Sequence, residues 1–213
     1  MGEEYLIPFG EAEAEYVEKR SRFIGHIWRV GSEEEARACI DVARKRHHDA
    51  RHNCWCYRIR EGKLLRYSDD GEPQGTAGQP MLNVFEREDI WDVCCVVTRY
   101  FGGVLLGAGG LTRAYGGTAK MTLNAAGISR MRLWATVAVP CTYSLYERMK
   151  LLVEGCGGII EDTEYGADIL LTVTLPAQRK EEMARQVTDL SAGTLEMLVL
   201  EEEFRPGPRE EAK

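Results

Sequence analysis

The chain has 213 residues, 44% of them hydrophobic, and a formal net charge of −7, which is long enough for two domains that each bury a core and too acidic for a protein that coats nucleic acid indiscriminately. No apolar run approaches the roughly 20 residues that span a bilayer, and Met1-Gly2-Glu3-Glu4-Tyr5-Leu6 lacks the basic-then-apolar pattern of an export signal, so a cytoplasmic protein without membrane contact is expected. The seven cysteines, odd in number and irregularly spaced, fit core thiols in a reducing compartment better than a disulfide framework.

In chain order, residues 23–30 alternate as a strand, and Ser32 with Glu35 forms a capping box ahead of a helix that places Ala36, Cys39, Ile40 and Ala43 on one face. That helix ends in Arg44, Lys45 and Arg46, where cations complement the helix dipole. Residues 54–60 and 64–68 read as paired strands. The loop over residues 69–79 is rich in Gly and Pro and long for a passive connection. Residues 93–97 form a buried strand, Gly102, Gly103, Gly107, Gly109 and Gly110 follow, and residues 111–126 have helical spacing. The first domain is therefore expected over residues 1–130. A second, over residues 131–203, has the succession β-α-β-β-α-β: strand 134–140, helix 144–154, hairpin 159–165 and 168–175, helix 177–190, strand 194–200. The charged tail, residues 204–213, is expected to be disordered.

Positive charge gathers in the first domain, at Lys19, Arg20, Arg22, Arg44, Arg46, Arg51, Arg99, Arg113 and Lys120, whereas Glu161, Asp162, Glu164, Glu181, Glu182 and residues 201–203 crowd the second. A strand, a glycine-packed turn and a helix N-terminus bring free N–H groups and partial positive charge to a phosphate or carboxylate. The same glycines also serve simply to pack a helix on a sheet, and both readings stand. Tyr100, Phe101 and Tyr115 interleave with Arg99 and Arg113, as in sites that stack unpaired bases, although such aromatics are core as often. His52, Cys54 and Cys56 share a strand face, but the second ligand pair of a zinc site is missing; His52 fits a hydrogen-bonding or acid–base role better. Asp69, Asp70 and Glu72 suit either a hard cation or a tight turn. No nucleophile signature of a hydrolase is present.

Several motifs agree in order: Lys19-Arg20-Ser21-Arg22-Phe23-Ile24, then His47 with Asp49-Ala50-Arg51-His52-Asn53-Cys54, then Ser68-Asp69-Asp70-Gly71-Glu72-Pro73-Gln74-Gly75-Thr76-Ala77-Gly78-Gln79-Pro80-Met81-Leu82, then the glycine block from Val96 to Lys120. Together they closely resemble the YigZ/IMPACT family over nearly the whole chain. The resemblance implies an α+β protein of two domains. The first would share the fold of the second domain of a small-subunit ribosomal protein, also seen in domain IV of elongation factor G and in GHMP kinases, and the second would resemble the ferredoxin-like domain V of that factor. Eukaryotic members restrain an amino-acid-starvation kinase by competing for its activator; for the bacterial layout, nucleic-acid binding is the usual expectation. The function expected here is non-enzymatic: binding RNA or a ribosome-associated partner through the first domain, in regulation of translation, with no cofactor and no metal. Arg22, His52, Arg99, Gly102, Gly103, Gly109, Gly110 and Arg113 would form the nucleic-acid or phosphate contacts. The alternative is a metal-assisted enzyme acting on a phosphorylated small molecule or nucleotide, suggested by Asp69, Asp70 and Glu72 and by the fold shared with GHMP kinases, whose ATP-binding glycine motif is missing here.

Overall fold

The computed structural model describes residues 4–210. The chain forms two compact units, one of residues 5–130 with 206–210, the other of residues 131–205 with Glu4.

The first unit runs β1 (Tyr5–Pro8), β2 (Ala12–Glu18), β3 (Ser21–Arg29), α1 (Glu33–Arg46), β4 (His52–Ile59), β5 (Leu64–Ser68), α2 (Gly78–Arg87), β6 (Val93–Tyr100) and α3 (Ala108–Ala126). Five of these strands build an antiparallel sheet in the order β2-β3-β6-β4-β5. Central β6 is a continuous apolar run because helices cover both of its faces. Val93, Cys95 and Val97 pack with Met81 and Phe85 of α2 and Tyr115 and Leu123 of α3. Cys94 and Val96, pointing the other way, pack with Ala36, Ile40 and Ala43 of α1. All seven cysteines are free, and burial pushes the thiols of Cys56 and Cys94 well up. Helix α1 begins where Ser32 Oγ accepts the Glu35 N–H at 3.2 Å while Glu35 Oε2 accepts the Gly31 N–H at 2.7 Å, so the acidic first turn is held by reciprocal bonds.

The second unit continues with β7 (Ile128–Cys141), α4 (Tyr146–Gly155), β8 (Ile159–Tyr165), β9 (Ile169–Pro176), α5 (Lys180–Leu190) and β10 (Leu198–Pro206), in the sheet order β10-β7-β9-β8. Val137, Val139, Leu171 and Val173 of its sheet bury against Met149 and Val153 of α4 and Met183 and Val187 of α5.

The chain departs from the sequence reading in several places. Strands β1 and β2 went unread, and α2 starts at Gly78 inside the stretch read as loop. The last strand begins at Leu198 rather than at residue 194. The tail is ordered where disorder is expected: β10 continues to Pro206, Gly207 N–H donates to the Arg130 carbonyl at 2.9 Å, Ile128 and Glu210 exchange backbone bonds of 3.0 and 2.7 Å, and Arg209 reaches the Ala125 carbonyl at 3.1 Å. Residues 207–210 thus have backbone partners that composition does not reveal, and they join the first unit. Residues 211–213 lie outside the described residues.

Candidate anion-binding cleft

Strand pairing brings His52, at the start of β4, opposite Arg99, near the end of β6. The loop of residues 69–77 folds over them, and its three acidic residues take three separate tasks. Asp69 accepts the N–H groups of Ala77 and Gly78 on Oδ1, at 3.0 and 2.9 Å, and that of Gly75 on Oδ2 at 2.8 Å, so its charge satisfies the N-terminus of α2. Asp70 accepts the Asn53 N–H at 2.7 Å and pairs with Arg44 at 3.2 Å, while its carbonyl accepts from His52 Nδ1 at 2.8 Å. Glu72 turns inward and receives both Arg99 Nη1 at 2.7 Å and the Tyr115 hydroxyl at 2.8 Å. The three carboxylates do not converge, and among the described residues no group of three or more His, Cys, Asp or Glu side chains is placed to hold a metal ion.

The Glu72–Arg99 pair is closed off, with side-chain exposures of 3% and 7%. Arg99 lies near Phe23 and Phe101, its carbon centre 5.6 and 5.4 Å from their ring centroids, and its Nε is buried without a partner. Burial, and after it Cys54 and Glu72, push the Tyr115 phenol far up. The bond to the Asp70 carbonyl makes His52 Nδ1 a donor, so in the neutral ring Nε2 keeps its lone pair; Nε2 has no partner among the described residues. Cys54 and Cys56 are fully buried, as cysteines on a strand commonly are.

His52, Glu72 and Arg99 line a cleft of about 390 Å³ whose other wall is Phe101, Leu105 and the start of α3 at Gly107 and Ala108. Gly107, at φ 72°, is the N-cap and offers no side-chain acceptor, so the N–H groups of Ala108, Gly109 and Gly110 keep no acceptor among the described residues. The Arg113 guanidinium lies over that turn, with Nη1 3.6 Å from where a Gly109 side chain would begin. Arg51 lines the mouth.

Of the expected contacts, His52 and Arg99 line this cleft; Gly109 and Gly110 follow in the first turn of α3, which begins at its wall, and Arg113 lines a groove between α2 and α3 instead. Gly102 has a packing role: a side chain there would lie 2.1 Å from the Arg20 backbone. Gly103 supplies a positive φ of 84° in the turn beyond β6. Arg22 is separated from the cleft by strand alternation, because neighbouring Phe23 points to the α3 face; Arg22 instead pairs with Glu15 through bonds of 3.0 and 2.9 Å. Arg51, read in the sequence only as part of the basic charge of the first domain and of the motif before the acidic loop, lines the cleft; a buried pair on the α1 side of the sheet was missed. There His26 Nε2 and His47 Nε2 lie 2.9 Å apart, with His47 Nδ1 3.0 Å from the Tyr100 hydroxyl.

Comparison with known proteins adds to this geometry. Residues 19–123 match the family described as the Impact N-terminal domain, and residues 139–194 match a domain of unknown function, DUF1949. The chain is 36% identical over 203 residues to the IMPACT family member YigZ of Escherichia coli, covering 94% of this chain and 100% of that one. It is 36% identical over 182 residues to the IMPACT family member YvyE of Bacillus subtilis, covering 85% and 84%. A solved structure described as a hypothetical protein matches with a TM-score of 0.59 at 35% identity, covering 94% of this chain and 99% of that one.

Proposed function

Because the chain belongs to the IMPACT family, whose eukaryotic members act in translational control, we propose that it binds single-stranded RNA through the cleft at the start of α3, as a non-enzymatic, translation-associated cytoplasmic protein. The observation that carries this reading is the uncapped N-terminus of α3 at the wall of a cleft lined by Arg51 and the half-exposed Phe101, with the Arg113 guanidinium over the first turn of the helix. Helix N–H groups and arginines suit a phosphate, and an exposed ring beside them suits a stacked base. His52 Nε2, a bare acceptor, suits a 2′-hydroxyl, the group that distinguishes RNA from DNA. The second unit would set orientation or partner choice; its β-α-β-β-α-β succession and strand order support a ferredoxin-like sandwich resembling domain V of elongation factor G. The antiparallel sheet and helices of the first unit are read as the ribosomal-protein-like fold.

Binding of labelled single-stranded RNA at two salt concentrations tests this. Affinity should fall with salt, and Arg51→Ala with Arg113→Ala should weaken binding and flatten the salt dependence by about one unit of slope per lost phosphate contact. Binding that ignores both salt and these substitutions would remove the cleft from the account. Arg99→Ala does not serve here, because that guanidinium is committed to Glu72.

One observation favours a second reading. A histidine with a fixed tautomer and a bare nitrogen, beside an anion site, also suits acid–base chemistry on a phosphorylated small molecule. Nucleotide binding in place of RNA binding, lost in His52→Ala, would select that reading.

A further inference from the structure

Beside the cleft, α2 and α3 enclose a groove of about 400 Å³ lined by Asn83, Arg87, Arg113, Gly117 and Lys120 among others. Two observations mark it. Arg22, Arg37, Arg44 and Arg46 each face a carboxylate, at 2.9, 2.8, 3.2 and 2.8 Å. Arg87 and Arg113 have no acidic partner among the described residues, and the carboxylate at the groove, Glu88, is occupied by Lys120. The groove therefore presents uncompensated positive charge.

The second observation is Gly117. A glycine weakens a helix interior, and this one lies well inside α3. At Gly116 a side chain would come within 3.5 Å of the Pro80 carbonyl, whereas at Gly117 it would meet no atom within 4 Å. Packing thus gives no reason for glycine at 117; its effect is to leave helix backbone bare at the wall of a basic groove. Arg113 connects the two places, because it lines the groove and also lies over the first turn of α3. From Gly109 to Gly117 the helix rises about 12 Å, further than one nucleotide step along a strand.

We propose that the groove is a second phosphate subsite, which takes the backbone of the same single-stranded RNA after it leaves the cleft, with Arg113 shared between the two and Arg87 as the counter-charge on the α2 wall. This rests on the RNA-binding reading of the cleft and extends it from a point contact to a track.

The test measures the affinity of the full chain for an RNA of about four nucleotides, which the cleft alone accommodates, and for one of about twelve. Four proteins are compared: wild type, Arg87→Ala, Gly117→Leu and Arg51→Ala. Leucine at 117 is a good helix former whose side chain enters the groove, so its melting temperature should not fall below wild type; surface substitution Arg87→Ala gives an independent reading if it does. The groove variants should bind the longer RNA at least about fivefold more weakly and the shorter one unchanged, whereas Arg51→Ala should weaken both. Wild-type affinity for the longer RNA in both groove variants, with Arg51→Ala still defective, would overturn the subsite and leave the cleft reading standing. No binding of either RNA by the wild type would overturn both.

Discussion

Arg99 and Glu72 show how a residue that looks like a ligand contact becomes a structural support. Each is an ordinary surface residue by type, yet their exposures of 7% and 3% leave each dependent on the other. Glu72→Gln would leave the Arg99 guanidinium buried without its counter-charge, a loss of about 3–5 kcal/mol that chemical denaturation would read as a lowered midpoint. A loss below about 1 kcal/mol would mean that water reaches the pair. The turn between β2 and β3 makes the opposite case. Lys19 and Arg20 take φ values of 46° and 67°, a left-handed conformation in which Asn-Gly is preferred. Holding two long cations there costs stability, and Gly102 packs against the Arg20 backbone, which ties the strained turn to the glycine block. Lys19→Asn with Arg20→Gly should therefore stabilise the protein by about 1 kcal/mol, read as a raised denaturation midpoint. Unchanged stability would show that the turn is not strained. At this scale the sequence disclosed residue types but not commitments: the turn chemistry of Asp69 and Asp70 was readable from Asp, Gly and Pro, whereas the inward turn of Glu72 depends on a partner 27 residues away.

At the scale of elements, β6 was legible because a strand buried on both faces is an unbroken apolar run, and α1 because its cap and its charges sit at both ends. Helix α2 was not, since Gly78, Gln79 and Pro80 carry no side-chain cap; its N-terminus is satisfied by Asp69, nine residues earlier. Strand β2 alternates Ala12, Ala14 and Tyr16, its half-buried face, with glutamates, but alanine and glutamate are poor strand formers, so the alternation carries a weak signal. Between β3 and the segment after α1 lies a pH-dependent contact that no motif reveals. Burial pushes His26 down to about 4, with His47 and Arg46 acting in the same direction and Glu13 opposing, and burial also lowers His47. The unfolded chain, with an ordinary histidine near 6.5, therefore binds protons before the folded one. The histidine contribution to stability is complete above about pH 6.5 and is lost as pH falls toward 4. Urea midpoints across this window should drop with falling pH, and His26→Gln should flatten the profile. An identical slope in the variant would assign the pH dependence to other groups.

Over the whole molecule, the net charge of −7 excluded indiscriminate nucleic-acid binding but said nothing of local balance. Among the described residues, much of the basic surface of the first unit is neutralised by carboxylates, as at Arg22, Arg37, Arg44 and Arg46. Arg87 and Arg113, which line the groove between α2 and α3, are among the cations that remain uncompensated. The division into two units was visible where the helical pattern of α3 ends at Gly127. The return of residues 206–210 to the first unit was not, because backbone pairing with residues 128–130 leaves no mark in composition. The central claim concerns the first turn of α3, and amide chemical shifts of the full chain during titration with a short single-stranded RNA address it directly. The account predicts that the largest changes fall on the N–H groups of Ala108, Gly109 and Gly110 and on neighbouring Phe101 and Arg113. Saturable changes confined to the second unit, or none at all, would contradict it.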